Sequence, residues 1–204
     1  MVDITTDVLI IGTGPAGSSS AALLSRYGIE NVVVNRYRWL ANTPRAHITN
    51  KRTMEVLRDL GHEVEQEAYL FATEQELMGE NVFCESLAGE EIGRMKSWGT
   101  HPLSKAEHLM SSPTFMNDLP QTFMEPLLFK TACKRGSNAR MNTEYLRHVQ
   151  DSDGVTTTCL DRMTGKEITI RSKYLIGADG GNSLVAEHED LPIAGKMGVG
   201  GSMN

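Results

Sequence analysis

The stretch Gly12-Thr13-Gly14-Pro15-Ala16-Gly17 is the part of this sequence best suited to chemistry, because glycines at this spacing let a backbone cradle a pyrophosphate. Gly12 permits a tight turn, Gly14 lets the main chain approach phosphate oxygens, and Gly17 lets a helix pack closely on a sheet. The N-terminus of the helix that follows supplies unpaired N–H groups to an anion. A dinucleotide also needs a group for its ribose, normally an acid ending the second strand. Asn35 stands there, followed by Arg36. An asparagine can hydrogen-bond a ribose hydroxyl without charge assistance. Arg36 either meets a 2′-phosphate or the adenosine end of a cofactor, or is a solvated side chain. A second glycine-terminated apolar run, Tyr174 to Gly177, ends in Ala178-Asp179-Gly180. A strand that returns this late to the first sheet with a polar terminus can meet the far part of a long cofactor, which favours FAD over a nicotinamide nucleotide.

The elements that must position these residues are partly legible. Asp7 to Ile11 is a short apolar run ended by glycine, as in a buried parallel strand. Ser18 to Tyr27 is small and apolar, a tightly packed helix capped by Gly28, and Asn31 to Asn35 is β-rich. Together they predict a βαβ unit. Met54, Leu57 and Leu60 predict a helix over 51–60 that Gly61 stops. Residues 62–116 hold no long period and are expected to form short strands and loops. A helix is predicted from Thr122 to Cys133, with Pro126 inside it. Arg140 to Val149, Val155 to Leu160 and Glu167 to Ile170 form a predicted β-meander, linked by the turn-like segments 151–154 and 162–166.

Composition excludes several classes. The chain has 204 residues, 40% apolar and 23% charged, and a net charge of -6 with its basic residues scattered. A phosphate-backbone binder shows a basic stripe, so no nucleic-acid partner is expected. No run reaches the length of a membrane span. Cys84, Cys133 and Cys159 lack CxxC spacing and are expected to be reduced, buried small side chains in a cytoplasmic chain. The histidines lack metal-ligand spacing, and no metal site is expected. Trp39 and Trp98 either pack in a core or line an aromatic pocket.

Taken together, Gly12 to Gly17, Thr43-Pro44-Arg45-Ala46-His47-Ile48-Thr49-Asn50, Arg52 to Leu57, Asp118-Leu119-Pro120-Gln121 and Tyr174 to Gly181 resemble the FAD-dependent aromatic hydroxylases, the class A flavoprotein monooxygenases that act on phenols and chlorinated phenols. The resemblance implies an α/β fold: a Rossmann-like FAD-binding domain with an inserted β-meander and the start of a β-rich substrate domain. The expected division is 1–61 and 119–185 for the FAD-binding domain, 62–118 for a substrate-domain-like insertion, and 186–204 for the start of a substrate domain. Gly12, Gly14, Pro15, Ala16 and Gly17 would face the FAD pyrophosphate. Asn35 and Arg36 would lie toward the adenosine end, Arg45 along the phosphates and Gln121 near the ribityl chain. Asp179 and Gly180 match a motif serving both FAD and NADPH.

His47 occupies a place held in related phenol hydroxylases by an aspartate proposed to deprotonate the substrate. It is read either as that base, or as a residue whose hydrogen bond fixes its loop. The implied reaction is ortho-hydroxylation of a phenol to a catechol by dioxygen, through a flavin C4a-hydroperoxide, with NADPH as co-substrate. The resemblance also implies a homodimer for the full-length form, and the chain is expected to be the N-terminal portion of a longer monooxygenase. Two alternatives remain open: a fragment that binds FAD without catalysis, and a nicotinamide-dependent dehydrogenase.

Overall fold

The computed structural model describes residues 2–43, 45–192 and 194–195. The elements run β1 (Ile4–Ile11), α1 (Pro15–Arg26), β2 (Asn31–Val34), β3 (Ile48–Thr49), α2 (Lys51–Leu60), α3 (His62–Leu70), β4 (Glu80–Cys84), β5 (Glu91–Lys96), α4 (Lys105–Met110), β6 (Asn117–Asp118), α5 (Gln121–Lys134), β7 (Asn138–Arg140), β8 (Thr143–Asp151), β9 (Gly154–Asp161), β10 (Lys166–Gly177) and α6 (Leu184–His188). Two units result: Met1–Arg45 with Met124–Asn204, and Ala46–Phe123.

The first unit is built on a six-stranded sheet in the order β7-β2-β1-β10-β9-β8. Four strands, β7, β2, β1 and β10, are parallel, and β9 and β8 add antiparallel to the edge of β10. The apolar runs explain the centre. Leu9, Ile10, Val32, Val33 and Val34 are essentially inaccessible to solvent, as expected for strands covered on both faces. Helix α1 buries Gly17, Ser18, Ala21 and Ala22, side chains small enough for close approach to the sheet. Leu9, Ile11, Val32, Val34, Tyr145, Cys159, Ile170 and Val185 form one hydrophobic cluster.

The second unit pairs β3 with β6 and β4 with β5 as two short antiparallel ladders. Helix α2 is capped by Asn50, whose Oδ1 accepts from the Thr53 N–H at 2.8 Å. Its spacing of apolar residues buries Met54, Leu57 and Leu60 as expected. Gly61, at φ 154°, ends α2 and turns the chain directly into α3. No helix among the described residues is long and apolar enough to cross a membrane.

Four expectations need correction. Residues 62–116 are not only strands and loops, since α3 and α4 lie there. Helix α3 escapes notice because its sequence, HEVEQEAYL, buries only Val64, Glu65 and Ala68. The predicted strand from Arg140 to Val149 is two strands, broken where Asn142 adopts φ 53°. The last meander strand and the returning apolar run are one continuous 12-residue strand, β10. Finally, Cys84 and Cys133 are exposed and only Cys159 is buried, while Trp39 is 60% exposed. Of the segment 186–204, residue 193 and residues 196–204 lie outside the described residues.

Burial pushes the Cys159 thiol up to about 12 and also raises that of Cys133. Because the thiolate is the reactive form, iodoacetamide at pH 8 is expected to label Cys84 first, Cys133 more slowly, and Cys159 only after denaturation. Peptide mapping by mass spectrometry checks the order. Native labelling of Cys159 at the rate of Cys84 would contradict this packing.

Candidate functional site

The glycine turn is shaped by backbone crowding. Gly12 has φ 105°, and a Cβ there would collide with the carbonyl of Ala178. A Cβ on Gly17 would collide with the carbonyl of Gly12 and touch the Ala178 methyl at 3.3 Å. Hydrogen bonds hold the three strand ends in this arrangement. The Gly12 N–H donates to the Val34 carbonyl and the Ala178 N–H to the Ile11 carbonyl, both at 2.8 Å.

Gly14 differs from its neighbours. A Cβ there would meet only the Glu125 carboxylate, 3.9 Å away. Gly14 caps α1 without a side-chain hydrogen bond, Pro15 occupies the first turn, and no acid lies in that turn. The result is an open cradle at a helix N-terminus, where N–H groups and the helix dipole favour an anion.

Asn35, Arg36, Asp179 and Gly180 follow the C-terminal ends of β2 and β10, the same end of the parallel sheet at which the glycine turn follows β1. This is the edge at which open α/β sheets bind ligands. Asn35 follows β2, and its side chain braces the next turn: Nδ2 donates to the Trp39 carbonyl and Oδ1 accepts from the Tyr37 N–H, both at 3.3 Å. One amide hydrogen and one lone pair remain in its inventory. Arg36 is exposed, with its guanidinium 5.0 Å from the centre of the Tyr37 ring. Arg45 is exposed and forms no ion pair among the described residues. Asp179 follows β10 and organises the start of α6. Its Oδ1 accepts from the Ser183 hydroxyl at 2.6 Å, and its Oδ2 from the Val185 N–H at 3.3 Å. Gly180 sits at φ 88° with open space beside it.

Behind Asp179 lies a polar network with no sequence signal, since its members are far apart and of ordinary type. The Tyr145 hydroxyl meets His148 Nδ1 at 2.6 Å and His188 Nδ1 at 2.7 Å, and His148 Nε2 meets Glu189 at 2.6 Å. Burial first, then the charges of Asp179 and Glu189, push the Tyr145 hydroxyl up to about 12. It therefore stays protonated and available as a donor at any ordinary pH. Glu125 was also missed. It is buried in α5 and accepts from the Ala41 N–H at 2.7 Å. An acid set among the apolar residues of that helix was the available signal.

His47 and Gln121 belong to the second unit. They lie on the backbone ladder that extends β3 and β6: the Leu119 N–H donates to the His47 carbonyl at 2.7 Å, and the Gln121 N–H to the Ala46 carbonyl at 2.9 Å. His47 Nδ1 lies 2.8 Å from Asp118 Oδ1, and Asp118 Oδ2 accepts from the Thr73 hydroxyl at 3.1 Å. Asp118 stood in a noted motif without a role, and Thr73 was not singled out. Among the described residues no group of three or more His, Cys, Asp or Glu side chains is placed to hold a metal ion.

Comparison with known proteins gives a consistent picture. The family described as FAD binding domain matches residues 5–204. The 2,4-dichlorophenol 6-monooxygenase of Cupriavidus pinatubonensis is 57% identical over 201 residues, covering 98% of this chain and 33% of that protein. The phenol 2-monooxygenase of Pseudomonas sp. is 52% identical over 201 residues, covering 98% and 31%. Among solved structures, the flavin-dependent monooxygenase PieE in complex with FAD and substrate superposes with a TM-score of 0.92 at 40% identity, covering 96% of this chain and 34% of that one. The chain thus spans about a third of the length of these relatives.

The crowding separates the glycines experimentally. Gly12→Ala and Gly17→Ala are each expected to cost roughly 2–4 kcal/mol, from strain and overpacking. Gly14→Ala is expected to cost no more than about 1 kcal/mol, the difference between the two residues as an N-cap. Urea unfolding of the three variants measures this, and equal losses would contradict the geometry.

Proposed function

The chain belongs to the FAD-binding aromatic hydroxylase family, the class A flavoprotein monooxygenases, and on that premise we propose that it forms the cofactor-binding portion of an enzyme that hydroxylates phenol or chlorinated phenols at the ortho position. The observation that carries this reading is the glycine turn. Gly12 and Gly17 are demanded by packing within the chain, whereas among the described residues only the Glu125 carboxylate comes within 4 Å of a Cβ at Gly14, which leaves a cradle at a helix N-terminus with no side-chain cap. An anion such as the FAD pyrophosphate fits that cradle, because N–H groups supply it and no acid of the first turn opposes it.

In this reading Gly12, Gly14, Pro15, Ala16 and Gly17 face the pyrophosphate, and the free N–H groups at the start of α1 bind it. Asn35 uses its remaining amide hydrogen toward ribose, and Arg36 lies toward the adenosine end. Arg45 contributes positive charge to the phosphates, and Gln121 hydrogen-bonds along the ribityl chain. Asp179 and Gly180 form the loop that serves FAD and NADPH, with the Asp179 carboxylate kept in one rotamer by Ser183 and the Val185 N–H. FAD, when bound, supplies the two-electron chemistry that draws on NADPH and dioxygen. The chain's own contribution to the reaction is a proton acceptor, His47 Nε2. It takes the phenol proton so that the ring becomes electron-rich enough for attack ortho to its oxygen. The reaction is cytoplasmic, as suits three unpaired cysteines, and the full-length protein acts as a homodimer.

Two measurements test the reading. FAD titrated into the chain should give a bound-flavin spectrum that survives desalting. Gly14→Val, which fills the cradle, should fold normally and weaken FAD at least about tenfold, or about 1.4 kcal/mol. Unchanged FAD affinity in that variant would remove the cradle from the cofactor site. In a polypeptide extended to the length of the relatives, 2,4-dichlorophenol should stimulate NADPH oxidation and yield a catechol. His47→Phe should lower the hydroxylation rate by roughly 10²-fold or more. An unchanged rate and pH profile would exclude His47 as the base.

A further inference from the structure

His47 and Asp118 have little freedom to choose how they meet. Their backbones sit on one antiparallel ladder, with Ile48 paired to Asp118 and the Leu119 N–H bonded to the His47 carbonyl. The Thr73 N–H donates to the Asp118 carbonyl at 2.9 Å, so the main chain of the aspartate is held from a second direction. Its side chain is held as well, with one oxygen taking the Thr73 hydroxyl at 3.1 Å and the other lying 2.8 Å from His47 Nδ1. The imidazole is the outer partner, with 57% of its side chain exposed against 24% for the carboxylate behind it.

An ionised carboxylate only accepts hydrogen bonds. The hydrogen in the 2.8 Å contact must therefore sit on Nδ1. A neutral His47 bonded in this way has a bare lone pair at Nε2, the nitrogen that points away from Asp118. This is the less favoured tautomer of a free histidine, so something in the protein must select it, and the hydrogen bond at the other ring nitrogen is the usual selector.

We propose that Asp118, with Thr73 holding its carboxylate, is the positioning residue that fixes His47 as the Nδ1–H tautomer and leaves Nε2 as the proton acceptor. The inference rests on the reading of His47 as the phenol's base and adds what that reading requires. With Nε2 protonated, the imidazole would offer a donor where an acceptor is needed. In the step itself the phenol O–H bond breaks, its electron pair stays on oxygen as phenolate, and the proton goes to Nε2. The imidazolium so formed keeps its Nδ1–H on Asp118, and the new positive charge arises beside a carboxylate. Asp118 and Thr73 touch neither proton nor substrate and act only through the imidazole.

The test reads the tautomer directly. Long-range ¹H–¹⁵N correlation spectra of the chain, recorded at a pH where histidines are neutral, distinguish a protonated ring nitrogen from a bare one. His47, assigned by its absence from His47→Phe, should show a protonated Nδ1 and a bare Nε2. Asp118→Ala should reverse the pattern, and Thr73→Val should give a mixture of both. The amide of Thr53, capped by Asn50 in the same unit, serves as the control that the variants remain folded. A wild-type His47 protonated at Nε2 overturns the proposal, and needs no variant to do so. So does an unchanged pattern in folded Asp118→Ala.

In the extended enzyme, Asp118→Ala should lower kcat roughly 10- to 100-fold while KM for the phenol changes less than about twofold. A rise in KM with kcat intact would overturn a role through the base. If the tautomer reverses as expected but His47→Phe hydroxylates at the normal rate, the positioning by Asp118 stands and the assignment of the base fails.

Discussion

The end of β10 and the turn after β1 occupy almost the same space, and only missing side chains make this possible. The Ala178 carbonyl stands where Gly12 would carry a Cβ, and the Gly12 carbonyl stands where Gly17 would carry one. That crowding joins three parts of the cofactor fold that are far apart in sequence: the β1–α1 turn, the N-terminal turn of the first helix, and the strand leading to Asp179. It also aims the start of α1 outward. With Gly12 and Gly17 spent on packing, the turn has one glycine left, Gly14, where a Cβ would meet only the Glu125 carboxylate at 3.9 Å.

Strand β10 is the member that makes the crowding hold. Residues 170–177 pair in parallel with β1, while residues 166–172 pair antiparallel with β9. One strand therefore carries the register of both the parallel nucleotide sheet and the meander. Its far end is fastened separately. Gly177 allows Val185 of α6 to press against the strand, and Asp179 caps the start of α6 through Ser183 and the Val185 N–H. Tyr145 on β8 reaches His188 at the end of the same helix, so the meander supports the loop that the parallel strands deliver.

Legibility followed the range of the forces involved. The β1–α1–β2 unit could be read directly because its apolar runs and glycines are local signals, and the helix over 51–60 because its three buried residues repeat at helical spacing. The Asp179 loop could be found because it ends an apolar strand. Helix α3 could not, since a helix lying mostly in water needs only a few apolar positions, and Val64 and Ala68 are too few to set a period. The continuity of β10 was hidden because the polar residues Arg171, Ser172 and Lys173 interrupt its apolar pattern. The partner of His47 was hidden for a different reason. Asp118 lies 71 residues away, and only the pairing of two-residue strands β3 and β6 brings the two together. The exposure of Cys84 and Cys133 likewise depends on which face of an element meets solvent, which composition does not encode.

The replacement of the usual ribose acid by Asn35 shows how the two kinds of site tolerate change. A cofactor held by backbone N–H groups and a helix terminus depends on shape, and shape here comes from Gly12 and Gly17. If Asn35 meets the ribose as proposed, exchanging a charge-assisted hydrogen bond for a neutral one gives up about 1 kcal/mol there and leaves the glycine turn untouched. The His47–Asp118 pair has no such reserve. In the role proposed for it, its chemistry would reside in one lone pair, free only while a carboxylate occupies the other side of the ring. On the proposed contacts, a sequence of this kind can drift at the ends of its cofactor and remain a flavin binder. On the proposed reading, a change at Asp118 turns an acceptor into a donor.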